Sequence, residues 1–522
     1  MLFFIDNKET NMSEKYIKNI SEKGNAIIVG RGANSILKEY NPINIFVYAN
    51  MESKINRCKQ KADSEENLTD KEIGLEKKKV EINLSEHFTY KKLIKFTLPT
   101  IIMMVFTSIY GVVDGIFVSN VVGNNAFASI NLIMPAIMII GTIGFMIGTG
   151  GSAIISKTLG EWNKDEANKQ FSMLIYLEII LGGIFTIIVI ALLRPIAKLL
   201  GATEEMMSNC LTYGRILLIG MTAFILQNSF QSFMIVAEKP RFGLGISIAA
   251  GITNMVLDFL FIYVFRLGVA GAAIATITSQ TVGAIIPLIY FSRKNDTMLK
   301  LGKTKFELST IIKTCTNGSS EMVTNLSMSL VNILFNMQVM KIAGANGVSA
   351  YGIIMYVGFL FVGTYMGYSV GTVPTIGYHY GSGNKDELKS LLSKSLKLLG
   401  IIAIIMTGLA EILAKPLASI FVSYDKELLE ITINAIRLYS LSYIISWFNI
   451  FTSSFFTALN NGFISALISF LRTLLFQVAM ILILPAVWGI NGIWLSVVVA
   501  ELLAIVVSII CIVANRKKYE YA

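Results

Sequence analysis

From Lys91 onward the chain is made of apolar runs too long and too many for a water-soluble core. Twelve can be drawn: 94–118, 126–158, 168–193, 207–236, 242–265, 269–292, 310–342, 346–379, 388–413, 427–458, 463–486 and 490–514. A helix needs about 20 apolar residues to cross the hydrocarbon layer of a bilayer. The runs lack the period-2 alternation of membrane-barrel strands, so helices are expected and strands are not. Composition agrees. Of 522 residues 54% are apolar and 15% charged, where soluble domains carry roughly 25% charge. The predicted fold is an all-α polytopic membrane protein of twelve transmembrane helices.

The second half of the chain rewrites the first. Asn163-Lys164-Asp165-Glu166 returns as Asn384-Lys385-Asp386-Glu387, and Arg194-Pro195 as Lys415-Pro416. Asn228 returns as Asn449, and Gly268-Val269-Ala270-Gly271 as Gly489-Ile490-Asn491-Gly492, all at an offset of 221. A duplicated apolar chain points to a transporter whose repeats rock about one central site. Six crossings per repeat is an even number, so both repeats enter from one side. The two six-helix lobes are then related by a pseudo-two-fold axis along the membrane normal.

Loop charge sets the orientation. Even-numbered exits carry bases, among them Lys157, Lys164, Lys239, Arg241, Arg293, Lys300, Lys385, Arg516 and Lys517, whereas 119–125 carries no charge. Both termini are expected in the cytoplasm. Residues 1–90 hold mixed charge and no membrane-length run, and are expected to be a disordered cytoplasmic extension. Met1-Leu2-Phe3-Phe4-Ile5 is too short for a signal-peptide core. Residues 91–300 form the first lobe and 301–522 the second, with a short cytoplasmic tail; the basic 293–309 stretch joins them. The net charge of +10 lies in short loops and marks no nucleic-acid surface. The four cysteines follow no metal spacing and the two histidines build no cluster.

An ionised side chain at mid-membrane costs about 3 kcal/mol or more and needs a reason. Asp114 lies in the first run and Asp258 in the fifth, with Asn254 four residues earlier on the same helix face. With the Thr276 hydroxyl they offer hard oxygens to a proton or a sodium ion. The bland alternative is that such an Asp only bonds a neighbouring backbone; two in one repeat argue against it. At the repeat offset Asp114 matches Phe335 and Asp258 matches Ala479. The cation site is therefore expected in the first lobe only. Glu321 and Glu501 are second-lobe acids that either touch substrate or serve as an interfacial charge and a structural pair. Glu178 and Glu411 rank lower, as residues a helix can turn to an interface. Arg215 and Arg437 read as structural or snorkelling bases. Glycines such as Gly150 and Gly367 read as close-packing positions. Gly148-Thr149-Gly150-Gly151 lacks the ending of a phosphate loop. Pro99, fifteen residues before Asp114, is placed to bend the first helix.

Several stretches carry a resemblance. They are Leu98-Pro99 through Val112-Val113-Asp114, Gly150-Gly151-Ser152-Ala153 followed by Leu159-Gly160, Asn254 to Asp258 followed by Gly268 to Thr276, and Pro374-Thr375-Ile376-Gly377-Tyr378. In that order, over 82–515, the chain resembles the multidrug and toxic-compound extrusion (MATE) family, in its MepA-like bacterial branch. The resemblance implies two lobes facing each other in a V, and export of cationic amphipathic compounds against a proton or sodium gradient. It implies a first-lobe cation site of Asp114, Asn228, Asn254, Asp258 and Thr276. The tenth-helix Asp of another branch is missing, with Asn449 in the tenth run. His379 stands where Asn is commoner, and no meaning is attached to it. The expectation is a monomeric, multi-pass protein of the cell membrane. Its partners are small cationic substrates and lipid, without nucleic acid, with no cofactor beyond the coupling ion and no enzymatic activity. The alternative is a flippase for a lipid-linked oligosaccharide, which would place several Arg or Lys in the central cavity where this chain places acids. A channel is a third reading.

Overall fold

The computed structural model describes residues 2–4, 27–29, 82–117, 122, 124–422 and 425–521; side chains are described for 82–111, 122, 129–422 and 425–521. They fall into two compact units, 1–80 and 81–522. In the first, the described residues are two three-residue strands, β1 (Leu2–Phe4) and β2 (Ile27–Val29), paired in parallel. The rest of the expectation for 1–81 falls outside the described residues.

The second unit is helical. It opens with α1 (Tyr90–Phe117), α2 (Asn124–Gly160) and α3 (Lys164–Leu199). Next comes α4, whose halves Glu204–Ile219 and Met221–Val236 meet at a 56° bend. After it come α5 (Pro240–Asp258), prolonged by a π-helical stretch Phe259–Val264, and α6 (Gly268–Ser292). The run Leu308–Gly381 then counts 74 residues. At 1.5 Å per residue that is about 110 Å, against a hydrocarbon layer of about 30 Å. Gly344, at φ 62° and ψ −153°, breaks it into α7 (308–343) and α8 (345–381). Then come α9 (Lys385–Phe421) and α10, whose halves Lys426–Ser440 and Tyr443–Ala458 are bent by 47°. The last helical run, Gly462–Tyr519, breaks at Gly489 (φ 57°) into α11 (462–488), which holds the π-helix Leu471–Leu475, and α12 (490–519). These are the twelve crossings expected from the sequence.

The duplication is visible in the backbone. Left-handed residues recur in pairs: Trp162 and Gly383, Glu238 and Asn460, Gly268 and Gly489. Gly is required at the last pair because its missing Cβ removes the clash of that conformation. The offset, however, is not constant. It is 221 at the first and third pairs and 222 at the second. The extra residue lies where α9 has 37 residues against 36 in α3. Asn449 therefore stands opposite Gln227, and Asn228 opposite Ile450, which corrects the Asn228–Asn449 match. One residue is about 100° of helix rotation, so the correction changes which face each amide occupies. Asp258 has Ala479 or Met480 as its counterpart, so the first-lobe-only pattern of acids survives.

Core packing shows how the lobes meet. One buried cluster draws on both halves, with Ile147, Phe171, Phe230 and Phe291 from the first and Tyr365, Tyr378, Leu388 and Phe451 from the second. Two further clusters lie at the opposite end. One contains only first-lobe residues such as Ile133, Tyr213 and Ala272; the other only second-lobe residues such as Phe335, Ile436 and Trp494. The lobes are thus fused at the end bearing the basic loops and keep separate cores at the other. At the joint, α2 and α7 touch backbone to backbone. A Cβ placed on Gly318 would lie 1.9 Å from the Met146 carbonyl oxygen, and one on Gly150 2.2 Å from that of Thr314. Small residues serve such contacts in lipid, where burial from water provides no drive between helices.

Two segments seal the basic end. The 293–307 connection lies along α3: Asn168 Oδ1 accepts from Lys300 N at 2.7 Å, Ser172 Oγ from Gly302 N at 3.0 Å, and the Tyr176 hydroxyl donates to Gly302 O at 3.1 Å. Slight burial works against ionisation of Asp296 in this connection. The Lys239 ammonium, bonded to it and charged, outweighs that and holds the carboxyl below its ordinary range. The approach to α1 bridges the lobes. Leu84 N donates to Glu238 Oε1 at 2.6 Å, while Phe88 N donates to Glu387 Oε1 at 2.9 Å and His87 Nδ1 pairs with Glu387 Oε2.

Glu387 and its repeat mate Glu166 thus have different tasks. Both follow an N-capping Asn whose side chain accepts their backbone N–H. Glu166 sits at the surface 3.7 Å from Lys169, whereas Glu387 is buried and holds the α1 approach. Substituting Glu387→Ala is expected to cost about 1–3 kcal/mol by orphaning the buried Phe88 N–H. Glu166→Ala is expected to cost less than about 1 kcal/mol. Thermal unfolding of the two variants in detergent checks the difference.

Candidate functional site

The first-lobe residues lie on α1, α4, α5 and α6. Asp258 is the last α-helical residue of α5 before the backbone widens into the π stretch, and its side chain is fully buried. π-Helical turns favour functional positions because they re-aim the residues at their edge. Asn254, one turn earlier on the same face, is also buried, with no hydrogen-bond partner for Oδ1 among the described residues. Asn228 is buried on α4, and its Nδ2 lies 3.5 Å from the Gly141 carbonyl of α2. Thr276 is half-buried on α6 and spends its proton on the Ala272 carbonyl at 3.0 Å, which leaves oxygen lone pairs to accept or ligate.

Asp114 lies on α1, but its side chain is outside the described residues, so the sharing of one pocket by the two acids falls outside them too. The backbone fixes its level. A Cβ on Gly251 of α5 would meet the Phe106 ring at 2.6 Å and the Tyr110 ring at 3.2 Å. As odd-numbered crossings, α1 and α5 run the same way, so the next turn brings Asp114 level with Asn254 to Asp258. Pro99 lies within α1, which continues through it as one helix.

The second lobe differs at each of these places. Phe335, the counterpart of Asp114, is core: its ring stacks on Tyr351 at 4.2 Å. The lobe instead buries an ion pair. Arg472, inside the π stretch of α11, donates Nε to Glu501 Oε1 at 2.7 Å and Oε2 at 3.0 Å. Asn449 Nδ2 donates to Glu501 Oε2 at 2.7 Å, and Ser508 donates to Asn449 Oδ1 at 2.8 Å. The Arg472 and Glu501 side chains are 12% and 3% exposed, so the charges compensate each other with little help from water. Of the readings open for Glu501, the structural pair is the one found.

Glu321 is placed otherwise. It lies three residues beyond Gly318, hence on the face of α7 that meets α2. That is one turn above the fused joint, where the two cores begin to separate. Its carboxylate has no hydrogen bond or ion pair among the described residues, and Arg472 is within electrostatic reach.

Sequence reasoning missed Arg472, whose signal was a guanidinium in the middle of the 463–486 run. It also ranked Glu178 too low. Glu178 is fully buried between α3 and α4, and accepts a hydrogen bond from Ser229 Oγ at 2.7 Å. Glu411 is half-buried and accepts from Ser440 at 2.9 Å. Arg215 and Arg437 are exposed, as snorkelling bases should be. His379 is buried against the Phe88 and Tyr378 rings.

The family model for MatE matches residues 99–260 and 322–483, one copy in each lobe. The chain belongs to the MatE family. The two matched segments follow the internal duplication, and together they cover more than half of the chain. Over the matched residues it is a multi-pass membrane transporter and not an enzyme.

Multidrug export protein MepA of Staphylococcus aureus (strain NCTC 8325 / PS 47) is 23% identical over 435 residues, 82% of this chain and 94% of the relative. The MepA of Staphylococcus haemolyticus (strain JCSC1435) is 24% identical over 421 residues, 80% of this chain and 91% of the relative. Among solved structures, the outward-facing conformation of a multidrug resistance MATE family transporter of the MOP superfamily superposes with a TM-score of 0.79. It is 24% identical and covers 84% of this chain and 98% of that one. This likeness establishes the two-lobe MATE fold. A second model, the cytidylate kinase-like family, matches residues 3–91, ahead of the membrane crossings.

Proposed function

We propose that this MatE protein is a multidrug efflux antiporter of the cell membrane, with both termini cytoplasmic. It exports cationic amphipathic compounds in exchange for protons or sodium ions. The observation that carries the reading is the burial of Asp258 and Asn254 on one face of α5, level with Asp114 on α1. Carboxylate and amide oxygens withdrawn from water bind a small cation, and α1 also borders the second lobe. Cation entry there shifts α1 against α8 and weakens the hold on substrate in the cleft. By thermodynamic reciprocity, substrate weakens cation binding by the same factor. Glu321, at the floor of the cleft, meets the positive charge of the substrate. Names of the relatives support multidrug export as the cargo class.

A flippase for lipid-linked oligosaccharide is less well supported. It needs free basic groups for a pyrophosphate, and Arg472 is tied to Glu501.

The test is uptake of a fluorescent organic cation into inverted membrane vesicles, energised in turn by a proton gradient and by a sodium gradient. Uptake driven by one or both supports antiport and names the coupling ion. Uptake that neither gradient changes would overturn it.

A further inference from the structure

We infer that Arg472 sets the number of positive charges the substrate carries. The inference rests on the reading of Glu321 as the group that receives the substrate cation. The second lobe holds two carboxylates, Glu321 and Glu501, and one guanidinium in electrostatic reach of both. Arg472 is committed to Glu501 through Nε bonds to both oxygens, and Asn449 completes that carboxylate. Glu321 is left without hydrogen bond or ion pair among the described residues. With both carboxyl groups ionised the cluster carries one uncompensated negative charge at the floor of the cleft. One organic positive charge neutralises it; a second finds no uncompensated carboxylate beside the Arg472–Glu501 pair. Tyr439, within electrostatic reach of Arg472 and Glu501, adds an aromatic face of the kind that receives organic cations.

The duplication sharpens the point. Arg472 stands opposite Ala250 or Gly251 of the first repeat, and Glu501 opposite Gln280. The first lobe has no charge at either place. The guanidinium and its carboxylate thus occupy these places in the second lobe alone. Arg472 does not touch the substrate in this account. It is a positioning residue that acts through the field it imposes on Glu321.

The test compares two dyes with one fluorophore: ethidium, a monocation, and propidium, which adds a quaternary ammonium. Affinities for purified protein in detergent are read by fluorescence, so coupling to an ion gradient plays no part. The intact protein is expected to prefer ethidium. Arg472→Met raises the net charge to minus two and is expected to move the ratio of the two affinities about tenfold or more toward propidium. Arg472→Met combined with Glu501→Gln returns the count to minus one and is expected to restore the preference for ethidium. A purely structural role for Arg472 lowers stability without reversing the ratio.

Should Arg472→Met fail to fold, Glu501→Gln alone decides. It keeps the side-chain size and one acceptor oxygen for Arg472, brings the count to zero, and is expected to weaken ethidium binding about tenfold although Glu501 does not reach the dye. An unchanged dye ratio in folded Arg472→Met, or unchanged ethidium affinity in Glu501→Gln, overturns the inference. Full ethidium affinity in Glu321→Gln overturns the reading of Glu321 and the inference with it. Loss in Glu321→Gln with no response to Arg472 or Glu501 changes overturns the inference alone.

Discussion

Asp258→Asn is expected to abolish gradient-driven accumulation while the protein still folds and still binds substrate. The amide matches the carboxyl in size and keeps hydrogen-bonding capacity, so the buried face of α5 with Asn254 is retained. What disappears is the ability to carry a charge or a proton at that point. Moving one charge through 100 mV is worth about 2.3 kcal/mol, which supports roughly fiftyfold accumulation. In the variant the vesicle-to-medium ratio of a fluorescent cation falls to about one when the gradient is imposed without a membrane potential, since an uncoupled carrier only equilibrates its cargo. Melting temperature and dye affinity remain close to those of the parent. Retention of the parental accumulation ratio by Asp258→Asn would remove the first-lobe coupling site. Loss of dye binding as well would reassign Asp258 to the substrate.

The second large effect is structural. Gly318→Ala places a methyl carbon 1.9 Å from the Met146 carbonyl oxygen, well inside van der Waals contact. Both sides of the contact are helix backbone, which does not rotate away as a side chain does. The lobes must separate at their fused end, at a cost of about 1–3 kcal/mol or more. Gly183 of α3 is the control, because a Cβ there meets nothing within 4 Å. Gly183→Ala is expected to stabilise the helix by up to about 1 kcal/mol. Thermal unfolding in detergent therefore moves in opposite directions for one chemical change. Equal melting temperatures for the two variants would show that α2 and α7 do not meet as tightly as described.

Burial against two lobes explains why the candidate groups divide as they do. Glu387 and Glu166 occupy the same tetrapeptide, yet only Glu387 is covered, because the approach to α1 passes over the second lobe's copy. No local pattern distinguishes them. Glu178 and Glu321 read alike as acids near span ends. One is enclosed by α4 and accepts from Ser229 through Oε2; the other lies where the lobes part and has no partner among the described residues.

The amino-acid sequence alone determined the twelve crossings, the duplication, and the presence of Asp114, Asn254 and Asp258 in the first repeat only. These follow from properties that act along one helix: length against bilayer thickness, the cost of a charge in hydrocarbon, and the 3.6-residue period. Tertiary structure decided the rest. It gave the breaks that the apolar runs place at 343–345 and 487–489 their positive-φ backbone, at Gly344 and Gly489. It moved Asn449 from the counterpart of Asn228 to that of Gln227, because one added residue in α9 turns the following helix by a full position. It paired Arg472 with Glu501, 29 residues apart, and fused the lobes at one end. Such contacts depend on which helix faces meet in space, and a period along the chain carries no record of its neighbour.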